Sequence, residues 1–396
     1  MLFLFEHQTE NSPVNATNVA AAPRTLLPLI QYPRVQFDFG AIGTLPAELA
    51  VLRAVRPLFV TDQGLVACGV FDTVRAAMPS GAELAVFDRI PENPTVQGVE
   101  QALEVYRERR CDAVVAVGGG SVIDSCKAIS VMATHPGRVG EYLGRAEKIT
   151  PDVAPLIAVP TTSGTGSEVS RGAGIHPTSS SRGGSLGSPF IVPKTAICDP
   201  DLTLTLPPLL TAATGMDALS HAVEGLLAKT VNPVGDAIAV DAITRVCDWL
   251  PKAVRDGADR EARWHMMMAS MEAMLVSKGL GAAHALANTF GDQGLHHGTL
   301  VTLALPPVLR GLDAHAGERI RRLADAMRLG TGRHPGAAIA EMNQALGLPA
   351  DLRSYGYKLA DLDEAAADAH ASWFNRSAPY HPTKDEFKTM ITEIIG

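Results

Sequence analysis

Residues 113–124 read AVVAVGGGSVID. An unbroken apolar run over 113–117 meets Gly118-Gly119-Gly120 at once, and a helical stretch over 125–133 follows. A short apolar run closed by glycines reads as a strand buried on both faces, and a tight turn into a helix makes it part of a parallel β-α-β unit. Without Cβ atoms, the turn lets backbone N–H groups and the helix N-terminus come close to a phosphate. The spacing is neither the GxGxxG dinucleotide fingerprint nor a P-loop, which needs a further Gly before Lys-Ser/Thr. A tight turn with no ligand is the plainer alternative, and this stretch alone leaves both open.

The same alternation continues outward. Residues 57–61, 85–87 and 157–160 are further apolar runs, and 95–110 reads as a charged helix. Strands and helices alternating at this spacing predict a parallel sheet covered on both faces. After about residue 205 the strands stop. Helical spacing runs through 207–229, 233–255, 260–277, 279–289, 299–311 and 315–329. The expected organisation is an arm over residues 1–30, a Rossmann-like dinucleotide-binding α/β domain over 31–204 and an all-α domain over 205–396.

Composition narrows the function classes. At roughly 150 residues per domain, 396 residues suggest two domains, with three the alternative. With 46% hydrophobic and 19% charged residues the chain has ample core material, and 36 Gly and 27 Pro without a period exclude collagen. The net charge is −8 and Lys and Arg are scattered, so no nucleic-acid partner is expected. Five widely spaced cysteines with no CxxC fit a reduced, cytoplasmic protein. The apolar run over 1–5 meets Glu6 immediately and is too short for a signal peptide, so no membrane association is expected.

Three sets of residues carry candidate chemistry. Thr161, Thr162, Ser163, Gly164 and Thr165 form a hydroxyl- and glycine-rich loop after the 157–160 run, suited to a phosphate or ribose; an ordinary turn is the alternative. Asp62 closes the 57–61 run, where a carboxylate accepts from ribose hydroxyls and repels a 2′-phosphate; a helix N-cap is the commoner use. Asp217 and His221 stand four apart on one helix face, His284 lies in a later helical stretch, and His296-His297-Gly298 follows in a turn. One carboxylate with imidazoles suits a divalent iron or zinc ion, although a single pair at this spacing is more often an ordinary helix face. His265, beside three Met residues, reads as structural.

Taken together, VTDQG (60–64), ENPT (92–95), GGGSVIDSCKAIS (118–130), PTTSGTGSEVS (160–170), CDPDL (198–202), ATGMDALSHAVEG (213–225) and GLGAAHALAN…HHG (279–298) resemble the iron-containing (group III) alcohol dehydrogenase family, in order and spacing, from about residue 33 onward. The resemblance implies a dehydroquinate synthase-like fold, with a dinucleotide-binding domain and a helical metal-binding domain either side of a cleft. It assigns Asp217, His221, His284 and His297 to Fe2+ or Zn2+. It lines NAD(H) with Asp62, Asn93, Gly119, Gly120, Ser121, Val122, Ile123, Thr161, Thr162 and Thr165. The cation would polarise a carbonyl oxygen while the carbonyl carbon takes hydride from the nicotinamide. A homodimer acting on a small aldehyde or alcohol is the expected assembly.

Two departures from the family pattern stand out. Asn288 occupies the position, four after His284, where many members carry a second His for proton relay, and an amide cannot exchange a proton near neutral pH. Water, the ribose hydroxyls or His296 are the remaining routes. The segment 177–188 (PTSSSRGGSLGS) lacks the usual basic residue; Arg171 and Arg182 are candidates to hold an anionic substrate group, with a solvated surface loop the favoured alternative. The expected activity is a metal-dependent, NAD(H)-linked aldehyde reductase. The alternatives are a maleylacetate-reductase-like enzyme, a dehydroquinate-synthase-like lyase using NAD transiently, and a cofactor-binding protein without turnover.

Overall fold

The computed structural model describes residues 32–178, 181, 183–276 and 278–396. The expected arm over 1–30 and Arg182 lie outside the described residues.

Strands β1 (Arg34–Phe37), β2 (Pro57–Val60), β3 (Ala85–Phe87), β4 (Ala113–Gly118) and β5 (Leu156–Pro160) are followed by β6 (Gly172–Ile175), β7 (Gly184–Gly187) and β8 (Thr195–Cys198). Six of them form one sheet in the order β1-β8-β5-β4-β2-β3, with every pairing parallel. Helices α1 (Leu45–Val51), α2 (Gln63–Ala67), α3 (Val70–Ala76), α4 (Val96–Glu108) and α5 (Gly120–Met132) supply the crossovers. Alternate residues of the central strands enter two separate cores. Leu58, Val60, Val114, Ala116 and Ala158 face one. Phe59, Val115, Val117, Ile157 and Val159 face the other. This is the double-sided burial that the unbroken apolar runs require.

The helical half comprises α6 (Pro208–Leu227), α7 (Pro233–Arg255), α8 (Arg260–Leu275), α9 (Ala282–Thr289), α10 (His297–Gly311), α11 (Asp313–Ala326), α12 (Pro335–Ala345), α13 (Leu362–Ala371) and α14 (Lys384–Ile395). Helix α6 is buried from Thr211 to Leu227, at the centre of this core. Among the described residues no helix is long and apolar enough to cross a membrane. Helix α10 contains Pro306 and Pro307. Pro306 lacks the N–H that would bond the Thr302 carbonyl, and Asn343 Nδ2 on α12 donates to that carbonyl at 3.1 Å instead.

The structure departs from the sequence reading at several points, among them the helix read over 125–133, which already begins at Gly120. The segment 177–188, read as a solvated loop, contains β7, which pairs antiparallel with β6 and buries Leu186. His297, read as part of a turn, is the first residue of α10, with His296 as its N-cap. The helix read over 279–289 starts at Ala282, because Gly279 adopts φ +97°, a left-handed conformation that ends regular winding.

Candidate active site

The carboxyl ends of β2, β4 and β5 open on the same edge of the sheet, because these strands are parallel, and the candidate dinucleotide residues gather there. The turn after β4 and the loop after β5 lie flush. A Cβ built on Gly119 would stand 3.1 Å from Thr162 Cγ2, and one on Gly120 would stand 2.6 Å from Thr165 Cγ2. The Thr161 N–H donates to the Gly118 carbonyl at 3.1 Å, holding the two together. Asp62 is the N-cap of α2, where its Oδ1 accepts from Leu65 N at 3.0 Å. The capping use is therefore the one seen, and it occupies one oxygen of the carboxylate.

Other residues of this set are placed differently from the expectation that they line a ligand. Val122 and Ile123 are buried in the sheet core, and the Ile123 N–H already donates to the Gly119 carbonyl, so their side chains belong to packing. Ser121 Oγ donates to the Glu92 carbonyl. Asn93 Nδ2 donates at 3.2 Å to the carbonyl of Gly294, in the helical half. Arg171 is exposed at the base of the β6–β7 hairpin, its carbonyl accepting from Ser188 N.

Across from these loops the helices bring the candidate ligands together. Donor atoms of Asp217, His284 and His297 lie within 4.8 Å of one another. His284 Nε2 is 3.9 Å from Asp217 Oδ1, and His221 Nδ1 is 4.0 Å from Asp217 Oδ2. The His221 and His284 rings stack at 4.7 Å. Asp217 Oδ1, His221 Nδ1 and His284 Nε2 are buried without a hydrogen-bond partner. Buried polar atoms are nearly always paired, so unpartnered lone pairs turned toward one another fit a cation, and one carboxylate among imidazoles suits Fe2+ or Zn2+.

The electrostatics agree with that fit. Desolvation alone would raise the Asp217 carboxyl, but His221, His297 and His284 outweigh it and hold it below its ordinary value. Burial lowers the imidazole of His221 against the pull of Asp217, and the loss of water on the side of His297 that faces the group lowers its imidazole too. An ionised carboxylate beside imidazoles held neutral, as those of His221 and His297 are, is the donor state a divalent cation takes. His297 is the exposed member of the group, so the group is open to the cleft on its side. His296 lies beside it with Nδ1 buried and unpartnered.

Sequence reasoning missed Glu224. It is buried on α6, seven residues after Asp217 and hence on the same face. Its Oε2 accepts from His284 Nδ1 at 2.6 Å and from Gly281 N at 2.9 Å, while Oε1 accepts from Ala283 N at 2.8 Å. It caps the start of α9 and orients the ligand that α9 carries. Burial would lower the His284 imidazole, and Glu224 reverses the sign. The spacing within DALSHAVEG was the available signal.

Comparison with known proteins now adds to the geometry. Residues 33–200 match the family described as iron-containing alcohol dehydrogenase, and residues 211–395 match the Fe-containing alcohol dehydrogenase family, C-terminal. The chain belongs to this family. It is 44% identical over 375 residues to a 4-hydroxybutyrate dehydrogenase of Cupriavidus necator, covering 91% of this chain and 97% of that one. It is 37% identical to a 1,3-propanediol dehydrogenase of Klebsiella pneumoniae, covering 83% and 89%. Among solved structures, the sulfoacetaldehyde reductase of Bifidobacterium kashiwanohense in complex with NAD+ superposes with a TM-score of 0.84 at 28% identity, covering 92% and 97%. As a member of the iron-containing alcohol dehydrogenases, the chain is an alcohol oxidoreductase of a family that uses NAD(H) and iron.

Proposed function

We propose that this alcohol dehydrogenase is metal-dependent and NAD(H)-linked, holds its cation on Asp217, His221, His284 and His297, and reduces small aldehydes that carry an anionic group, or oxidises the matching alcohols. The observation that carries the metal centre is the convergence of Asp217, His284 and His297 donor atoms within 4.8 Å, with Asp217 Oδ1 and His284 Nε2 buried and unpartnered 3.9 Å apart and the equally unpartnered His221 Nδ1 4.0 Å from Asp217 Oδ2. The anionic substrate is supported by the names of two similar proteins, which act on 4-hydroxybutyrate and sulfoacetaldehyde.

When bound, the cation polarises the substrate carbonyl and the nicotinamide supplies or takes the hydride. The chain's own residues do the rest. Glu224 fixes the His284 ring so that Nε2 faces Asp217. The glycine turn at 118–120 and the Thr161–Thr165 loop receive the dinucleotide phosphates, and the oxygen of Asp62 not used for capping takes the adenosine ribose, favouring NAD(H) over NADP(H). Asn288 is half-buried one turn after His284 and has no acid or base to offer near neutral pH, which leaves His296, water or ribose hydroxyls to supply the proton at the substrate oxygen. The two domains meet near residue 204, between β8 and α6, and we take the enzyme to be a cytoplasmic homodimer.

The test is anaerobic. Metal-free enzyme is loaded with Fe2+ or Zn2+, and NADH absorbance is followed with neutral, carboxylated and sulfonated aldehydes. Metal-dependent NADH loss fastest on the anionic aldehydes is expected. Loss of metal and turnover together in Asp217→Ala and His284→Ala completes the reading, whereas retained metal stoichiometry refutes the ligand set. A preference for neutral aldehydes removes the anionic substrate class.

A further inference from the structure

Two contacts join the dinucleotide loops to the segments that carry the candidate metal ligands. One is packed. The loop that lies flush on Gly119 and Gly120 continues to Gly164, where a Cβ would stand 2.8 Å from the Thr214 carbonyl oxygen. Thr214 precedes Asp217 by three residues on α6. The other contact is polar. Ser121, at the start of α5, donates to the Glu92 carbonyl, and the adjacent Asn93 donates across the cleft to the Gly294 carbonyl. Gly294 lies in the short loop that leads into His297, and it turns in the left-handed conformation at φ +73°.

Each dinucleotide loop therefore touches a segment bearing a ligand. Gly164 bears on the Asp217–His221 helix, and Asn93 bears on the loop before His297. We propose that dinucleotide and metal binding are coupled through these two contacts, so that each ligand tightens the other. The inference rests on the reading of the two sites given above. Whichever ligand binds first orders loops that the second also needs, and the second is spared that cost. Such coupling is reciprocal, and its usual range is about 5- to 150-fold.

ADP-ribose is the probe that isolates the loops, because it carries the phosphates and ribose without a nicotinamide ring to touch the cation. Metal-free full-length protein is titrated with Zn2+ against a fluorescent chelator, with and without saturating ADP-ribose. The Kd for Zn2+ falls by about 5-fold or more on adding ADP-ribose to the wild-type chain. That factor shrinks toward unity in Gly164→Ala, whose methyl group pushes the loop off the α6 backbone, and in Asn93→Ala, an exposed truncation that keeps the test open should Gly164→Ala fail to fold. Equal Zn2+ affinity with and without ADP-ribose in the wild-type chain overturns the coupling, as does full coupling retained in Asn93→Ala and in folded Gly164→Ala. Zn2+ binding that is absent, or that survives Asp217→Ala, overturns the site reading and the coupling with it. Zn2+ binding that needs Asp217 yet ignores ADP-ribose overturns the coupling alone.

Discussion

Glu224 Oε2 and His284 Nδ1 stand 2.6 Å apart, and that single hydrogen bond determines which nitrogen of His284 is left to face Asp217. An imidazole that donates from Nδ1 keeps its Nε2 lone pair for a cation. Glu224→Ala should weaken Zn2+ or Fe2+ binding by about 10- to 100-fold, the usual cost of losing such a partner. Glu224→Gln, which keeps one accepting oxygen, should fall between. Chelator competition measures both, and wild-type affinity in a folded Glu224→Ala would mean that the carboxylate serves only to cap α9.

The glycine turn makes a second prediction. Because a Cβ at Gly120 would meet Thr165 Cγ2 at 2.6 Å, Gly120→Val must displace the Thr-rich loop as well as fill the phosphate approach. NADH affinity, read by fluorescence titration, should drop by about tenfold or more, equivalent to about 1.4 kcal/mol. Unchanged affinity would make the turn a purely structural junction.

The fold was readable wherever burial leaves a periodic mark. The runs at 57–61, 113–117 and 157–160 are strands with both faces covered, the run at 85–87 is an edge strand with Val86 exposed, and α6 and α7 run close to the limits that helical spacing sets. The hairpin β6–β7 was not readable. Its second strand is GSLG, in which Leu186 alone is a large side chain to bury, so alternation has nothing to display. At the candidate site, residue types and spacing pointed to Asp217, His221 and His284, while the partner of His284 was hidden because a Glu near a helix C-terminus resembles any other. Asn93 shows the opposite limit: its motif suggests a ligand contact, and only the tertiary structure shows its amide crossing to Gly294.

Lys127 tests how much a buried charge matters to the α/β half. Its Nζ is fully buried and donates to Ser167 Oγ at 2.7 Å, Ser170 Oγ at 2.8 Å and the Gly172 carbonyl at 2.6 Å, with Asp124 Oδ1 at 3.5 Å. Truncation leaves the buried Ser167 hydroxyl and the part-buried Ser170 and Gly172 oxygens without this donor, and it removes the charge beside Asp124, which keeps its bonds from Ser167 Oγ and Gly174 N. Lys127→Ala should therefore cost about 3–5 kcal/mol in urea denaturation. A loss below about 1 kcal/mol would show that the hydroxyl groups re-pair among themselves.

Glu272 gives a pH dependence of known sign. Burial pushes its carboxyl up to about 8, against the pull of Arg245, whose Nε lies 3.2 Å from Oε2 and 2.6 Å from Asp241 Oδ2. A carboxyl whose folded pKa is raised binds its proton more tightly when folded, so its contribution to stability falls as pH rises from its unfolded value near 4.5 through 8. Glu272→Gln, which mimics the protonated form, should raise Tm more at pH 9 than at pH 5, by a difference worth about 1 kcal/mol or more. An equal shift at both pH values would show that the ionised side chain is already well solvated.

The bond from Asn343 to the Thr302 carbonyl has a meaning on an evolutionary timescale. Pro306 frees that carbonyl and Asn343 answers it, so neither residue's worth can be assessed without the other. A lineage that loses the proline regains the helix's own hydrogen bond and releases the asparagine from selection. A lineage that loses the asparagine first must carry an unanswered carbonyl in the helix that His297 begins. Descent should therefore show the two positions drifting in that order, proline before asparagine, and seldom the reverse.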